Sequence, residues 1–173
     1  QTCALPILIS TYRISDIVLG VIANVFYVDM GFTKVEVAAI SKVFGVIMTL
    51  LGAGLGGLMM IRHGVMKVLF LGGLLSALTN LLFSLLAIMG HNISLLTLVI
   101  CLDNLSGGIA SAAFIAYLSS LTNVSYSATQ YALFSSVMVL FPKFLGGFSG
   151  VMVDSTGYSY FFMITAAMGI PVL

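Results

Sequence analysis

Long apolar runs, interrupted at intervals by short clusters of glycine and polar residues, set the pattern of the chain. A helix needs roughly 20 apolar residues to cross the hydrocarbon core of a bilayer. The chain parses into six such runs, at about 7–28, 36–61, 65–89, 94–121, 127–153 and 158 to the end. The breaks at 29–34, 62–64, 90–92, 122–126 and 154–157 are short, so consecutive helices are expected to be antiparallel neighbours. The runs are continuous and show no alternation of period two, which argues against a membrane β-barrel. The predicted fold is therefore all-α, a polytopic transmembrane helix bundle. Residues 1–10 read as a non-native or truncated start, because QTCALPI lacks both an initiator methionine and the basic region of a signal peptide. Residues 11–173 read as a six-helix domain truncated in its last helix.

Composition sharpens the choice of solvent. Hydrophobic residues make up 61% of the 173 and charged ones 6%, with a mean hydropathy of +1.22. Soluble domains carry about 25% charged residues. A net charge of +1 with no basic run offers no field for nucleic acid. The expected partner is a lipid bilayer. Arg62, His63 and Lys67 cluster at the second break, which the positive-inside rule places in the cytoplasm. Breaks one, three and five then face the exterior.

Part of the sequence repeats. Asp16-Ile-Val-Leu-Gly20-Val-Ile22-Ala23 in the first run matches Asp103-Asn-Leu-Ser-Gly107-Gly-Ile109-Ala110 in the fourth, giving D-x-x-x-G-x-I-A twice. Gly57 to Gly64 ends the second run as Gly150-x-x-x-Asp154-x-x-Gly157 ends the fifth. An odd number of spans per repeat inverts the second copy in the membrane, the 3+3 arrangement within each half of a major facilitator transporter.

Arg13, Asp16, Lys42, Asp103 and Lys143 fall inside the runs, where a charge at mid-membrane costs roughly 2.5–3.5 kcal/mol on insertion scales. Such residues should face protein or water. Arg13, Asp16, Gly20 and Asn24 share one helical stripe, which either lines a cavity or holds Arg13 and Asp16 as a structural pair. Lys42, Gly45, Thr49, Gly52 and Gly56 share another, its glycines suited to close helix packing and Lys42 to a substrate contact or to snorkelling. Asp103, Ser106, Gly107 and Ala110 share a face with Tyr117 close to it, and Asn104 stands about 100° away. Asp103, with Asp16, is the candidate carrier of a coupling proton; a static pair of Asp103 with Lys143 or Arg13 is the alternative. Pro142 predicts a kink in the fifth run, with Lys143 on it as a second cation for an anionic substrate.

Other residues carry less. Cys101 reads as structural, His63 and His91 as solvated loop residues without metal spacing, and Gln130 as an interface residue. Asn92-Ile-Ser94 and Asn123-Val-Ser125 match the glycosylation sequon, a pattern common by chance. No nucleophile–base arrangement, phosphate loop, metal site or cofactor motif stands out, so the reading is of a non-enzyme without cofactor.

Gly57-Leu-Met-Met-Ile61-Arg62-His63-Gly64-Val-Met-Lys67 resembles the major facilitator loop motif G-x-x-x-D-[RK]-x-G-[RK]-[RK], with Ile61 at the acidic position, so the motif's charge relay is not expected here. Tyr12 to Asp16, Asn24 to Lys34, Asp103 to Ala110, Phe114 to Asn123 and Tyr126 to Phe134 look like the C-terminal half of the AmpG anhydromuropeptide permeases. Related acetyl-coenzyme A transporters match less well. The resemblance implies the C-terminal six-helix half of a proton-driven importer in the bacterial cytoplasmic membrane. Its substrate would be GlcNAc-anhydro-MurNAc with attached peptides, bound for cell-wall recycling, and its working partner the missing N-terminal six-helix half of the same transporter. Chemistry then assigns Arg13, Lys42 and Lys143 to substrate carboxylates and Asn24, Asn104, Tyr117 and Thr49 to sugar hydroxyls. A carrier for another anionic metabolite such as acetyl-CoA is the alternative within the class. A non-transporting scaffold or sensor is the alternative outside it.

Overall fold

The computed structural model describes residues 12, 14–121 and 127–169. The described residues form helices joined by turns, with no strand among them. The helices are α1 (Ile14–Asp29), α2 (Lys34–His63), α3 (Val65–Met89), α4 (Ile93–Leu121), α5 (Ser127–Gly146), α6 (Ser149–Thr156) and α7 (Tyr158–Gly169). Three of them, α2, α3 and α4, are by themselves long and apolar enough to cross a bilayer. Leu50, Leu58, Ile61, Leu140, Phe144 and Val151 are more than 60% exposed on the outside of the bundle. That surface suits hydrocarbon and not water. The described residues thus form a transmembrane helix bundle.

The helix boundaries have local causes. Thr33 caps α2: its hydroxyl accepts from Glu36 N at 3.2 Å while Glu36 Oε2 accepts from Thr33 N at 2.8 Å. This capping box starts the helix at Lys34, two residues ahead of the position expected from hydropathy. Within α2, Ser41–Gly45 forms a π-helical turn. The α2–α3 turn is made by Gly64 (φ 83°, ψ 159°) and the α6–α7 turn by Gly157 (φ 79°, ψ 163°). Both lie in a region essentially reserved for glycine, and they are the two glycines that the sequence repeat equates.

The fifth run departs from expectation. It is not one helix over 127–153 kinked at Pro142; helix continues through Pro142, stops at Gly146 and resumes at Ser149. Gly147 N–H reaches back to Lys143 O at 3.1 Å and Phe148 N–H to Leu145 O at 3.0 Å, tightening the chain into a turn. A proline frees the carbonyl four residues earlier without ending the helix; here the Gly146-Gly147 pair supplies the break.

Helix packing follows the repeat. α4 lies along α2 and α3, α3 along α7, and α1 against α5 and α7. Exchanging α1 with α4, α2 with α5 and α3 with α7 returns the same set of neighbours, the pattern of a 3+3 inverted repeat. One end of the bundle gathers breaks one, three and five: Tyr158 hydroxyl donates to Asp29, and His91 stacks on Phe32 at 4.6 Å with Glu36 4.0 Å away. His91 is thus docked against α2 and not simply solvated.

Two apolar cores fill the interior. Toward that end Phe26, Tyr27, Phe83, Phe161 and Phe162 cluster with Val18, Ile22, Leu86, Leu96 and Val99. Toward the other, Tyr12 stacks on Phe114 and donates to Leu69 O at 2.7 Å, among Val68, Ala110, Ala113 and Leu118. Buried polar residues on several helices, Ser15, Ser76, Thr79, Asn80, Ser106 and Thr165, accompany these cores.

Candidate functional site

Among the buried polar residues, α3 carries Ser76 and Thr79, which reach α1 and α4. Ser76 hydroxyl donates to Asp16 of α1, and Thr79 hydroxyl lies 3.2 Å from Asp103 Oδ1 of α4 and 2.9 Å from Ser76 O. One hydroxyl hydrogen thus serves two acceptors, a carboxylate and a backbone carbonyl. The aspartates of the repeated D-x-x-x-G pattern are both hooked onto the same helix. Asn80, next to Thr79, is fully buried with neither amide atom hydrogen-bonded, a cost of about 1–3 kcal/mol that packing must offset.

A cavity of about 280 Å³ opens beside these aspartates. Asp16, Gly20, Ala23 and Tyr27 line it from α1, Thr49 from α2, Phe83 from α3, and Asp103, Asn104, Gly107 and Ser111 from α4. The repeated pattern therefore contributes both of its copies to one concavity: each aspartate with the glycine one turn later. A Cβ on Gly20 or Gly107 would meet no atom within 4 Å, so backbone itself forms part of the wall. Thr49 Oγ1 lies 2.9 Å from Gly45 O and 3.1 Å from Asn104 Oδ1, and Asn104 Nδ2 donates to Ile100 O at 2.8 Å. Acceptors dominate this lining, and two aromatic rings border it.

A second cavity of about 380 Å³ lies between α1 and the start of α2, lined by Asn24, Tyr27, Val28, Lys34, Val37, Ala38, Ser41 and Lys42. Tyr27 borders both cavities. Lys34 and Lys42 are its two cations, and among the described residues neither has a carboxylate at ion-pair distance. Among the described residues, carboxylates line the first concavity and lysines the second.

The predicted site residues sort as follows. Asp16, Asp103, Thr49 and Asn104 meet in the first cavity; Asn24 and Lys42 line the second. Asn104 reaches the cavity although it stands off the Asp103 stripe, because the wall of α4 wraps around that angle. Tyr117 sits next to Phe114 in the other apolar core, ring centroids 6.5 Å apart, and lines neither cavity. Lys143 is exposed on α5 just past Pro142 and lines neither. Arg13 lies outside the described residues. Of the loop motif, Gly57 and Gly64 bracket the end of α2, Arg62 and Lys67 are exposed, and His63 Nδ1 is 3.3 Å from Met59 O. Among the described residues no three His, Cys, Asp or Glu side chains are grouped to hold a metal ion.

Sequence reasoning missed Tyr27, Lys34, Ser76, Phe83, Thr79 and Ser111. Ser76 and Thr79 are three apart in a run otherwise nearly all apolar, and that spacing was the available signal.

No family model matches the chain. It is 35% identical over 162 residues to the putative transporter AmpG 4 of Rickettsia conorii, and 34% identical over 162 residues to the putative transporter AmpG 1 of Rickettsia prowazekii. It is 31% identical over 166 residues to the anhydromuropeptide permease of Escherichia coli strain K12. These alignments take in 94–95% of this chain but 34–39% of each relative's length.

Proposed function

Because the chain belongs to the AmpG family of transporters, we propose that it forms one six-helix half of a proton-coupled importer of anhydromuropeptides, working with a second half across a shared path. The observation that carries this reading is the convergence of Asp16 and Asp103, from the two copies of one repeated pattern, on a single cavity inside an apolar bundle. Intramembrane carboxylates are costly and mark substrate or proton pathways. Asp16 and Asp103 each already accept from a hydroxyl of α3, the kind of donor that a proton or a substrate hydroxyl would supply. The acceptor-rich lining suits sugar hydroxyls, and the lysines of the neighbouring cavity suit carboxylates. The relatives' names point to the same class of cargo.

The test is uptake of radiolabelled anhydromuropeptide by cells that lack their own permease and express this chain joined to its second half. Uncoupler-sensitive accumulation is expected; well-inserted protein that accumulates none would reject the substrate. Asp103→Asn is expected to abolish uphill uptake while leaving exchange. Undiminished uphill uptake in that variant would remove Asp103 from the proton pathway.

A further inference from the structure

We propose that the cation-bearing end of α2 holds one anionic phospholipid, its phosphate on Arg62 and Lys67 and an acyl chain laid along Leu58 and Leu55. Such a site needs only a bundle in a bilayer and stands or falls apart from any cargo.

Charge is unevenly distributed along the bundle. The chain has five carboxylate side chains, Asp16, Asp29, Glu36, Asp103 and Asp154, and all of them lie among the described residues. Asp29 and Glu36 stand with Tyr158 and His91 at the far end, and Asp154 acts on the same Tyr158. At 1.5 Å per residue, Glu36 is about 39 Å along α2 from Arg62. Asp103 is held at Thr79, about 18 Å along α3 from Lys67 on the same rise. Both separations are more than twice the screening length of about 8 Å at physiological ionic strength. No side-chain carboxylate therefore neutralises Arg62 or Lys67. This end is read as cytoplasmic from those same cations, and anionic lipids give that leaflet its negative surface.

Shape supplies a place for the chain of a lipid beside its headgroup. A groove of about 350 Å³ follows the last turns of α2, lined by Leu55, Leu58, Met59, Ile61, Arg62 and His63. Apolar side chains occupy its stretch toward the membrane and basic ones its end. Leu58 is 64% and Ile61 83% exposed, so hydrocarbon contact is offered close to the guanidinium. The two free oxygens of a phosphodiester match the guanidinium fork. Lys67, exposed in the first turn of α3 across Gly64, supplies a second cation. His63 Nδ1 is 3.3 Å from Met59 O, so this ring is tied back to its own helix and the headgroup falls to Arg62 and Lys67. The same charges select the class of lipid. A zwitterionic headgroup brings an ammonium beside its phosphate, and this end of the bundle has no side-chain carboxylate to receive it. A headgroup charged only at phosphate meets cations alone.

The experiment is native mass spectrometry of this chain joined to its second half, with equimolar phosphatidylglycerol and phosphatidylethanolamine. The first lipid retained is expected to be phosphatidylglycerol by about 30-fold, since each of two cations near an anionic surface contributes about five-fold. Arg62→Gln/Lys67→Gln is expected to abolish that preference, and the charge-conserving Arg62→Lys/Lys67→Arg to keep most of it. Leu55→Ala/Leu58→Ala is expected to weaken retention of both lipids while leaving their ratio unchanged, because it removes contact with the chain and not with the headgroup. Glycerol phosphate, which has the charge and no chain, is expected not to displace the lipid. No preference in the unaltered protein, a preference that survives Arg62→Gln/Lys67→Gln, or displacement by glycerol phosphate would each overturn the site. Should the glutamine variant fail to fold, the charge-conserving variant and the glycerol phosphate competition decide: loss of preference in the first, or displacement in the second, rejects it.

Discussion

Two helix crossings that the internal repeat makes equivalent are built differently. Where α2 meets α4, glycine faces glycine: a Cβ on Gly52 would stand 2.2 Å from Leu105 O, and one on Gly108 would stand 2.4 Å from Thr49 O. Where α5 meets α1, Gly146 faces Val21, whose Cγ2 would be 3.0 Å from an added Cβ, with the backbone at Val18 Cα 3.9 Å away. The first crossing is backbone against backbone; the second is cushioned by a side chain. Close approach of that kind gives membrane helices their van der Waals attraction in the absence of a hydrophobic drive. The α2–α4 pair therefore forms the fixed wall of the aspartate cavity, held also by the Thr49–Asn104 contact. The α1–α5 pair is the adjustable one, and α5 adds a proline and an interruption after Gly146.

Substitution at the tight crossing tests this contrast with the largest expected effect. Gly108→Ala, or Gly52→Ala, is expected to destabilise the bundle by about 3 kcal/mol or more, since a backbone atom cannot step aside. Chemical unfolding in detergent micelles measures it, and a loss below about 1 kcal/mol would break the comparison. Next in size, Gly64→Ala and Gly157→Ala are each expected to cost about 1–3 kcal/mol from backbone strain. The two costs should agree closely, because the dihedral angles at those turns differ by only a few degrees; a large disparity would say that the repeat is one of sequence and not of energetics. The smallest effect is expected at the cushioned crossing, where Gly146→Ala should cost about 1 kcal/mol or less. Combining it with Val21→Ala should return most of that, as unfolding of the double variant would show.

Much of this was legible in the sequence for a definite reason. Hydrophobic run length reports on a solvent about 30 Å thick, so the spans of α2, α3 and α4 and the end of α1 emerge within a few residues. The Gly45, Gly52 and Gly56 stripe emerges because a 3.6-residue period aligns small side chains whatever they meet, and all three face α4. Asp16 and Asp103 stood out because each is a costly charge inside an apolar run, and the D-x-x-x-G repeat stood out as a sign of internal duplication. What stayed hidden depends on partners far along the chain. Ser76 and Thr79 look like incidental small polar residues until α1 and α4 bring carboxylates to them. Tyr27 and Phe83 look like ordinary core aromatics, and Lys34 like a loop residue, until the second cavity opens beside Asn24 and Lys42. The break after Gly146 was assigned to Pro142 because proline is the louder local signal, while the turn is closed by carbonyls of Lys143, Phe144 and Leu145.

The π-helical turn at Ser41–Gly45 has a bearing on how this gene can change. Such a turn is an α-helix carrying one residue in excess. Deleting a single codon within it would let the hydrogen bonds fall back to the ordinary spacing, with both Lys34–Ile40 and the segment from Val46 onward keeping the faces they now present. Inheritance thus has a place where one residue can be lost while Lys34 ahead of the turn and the glycines behind it both hold their positions, whereas a loss elsewhere in α2 would rotate one part against the other by about 100°.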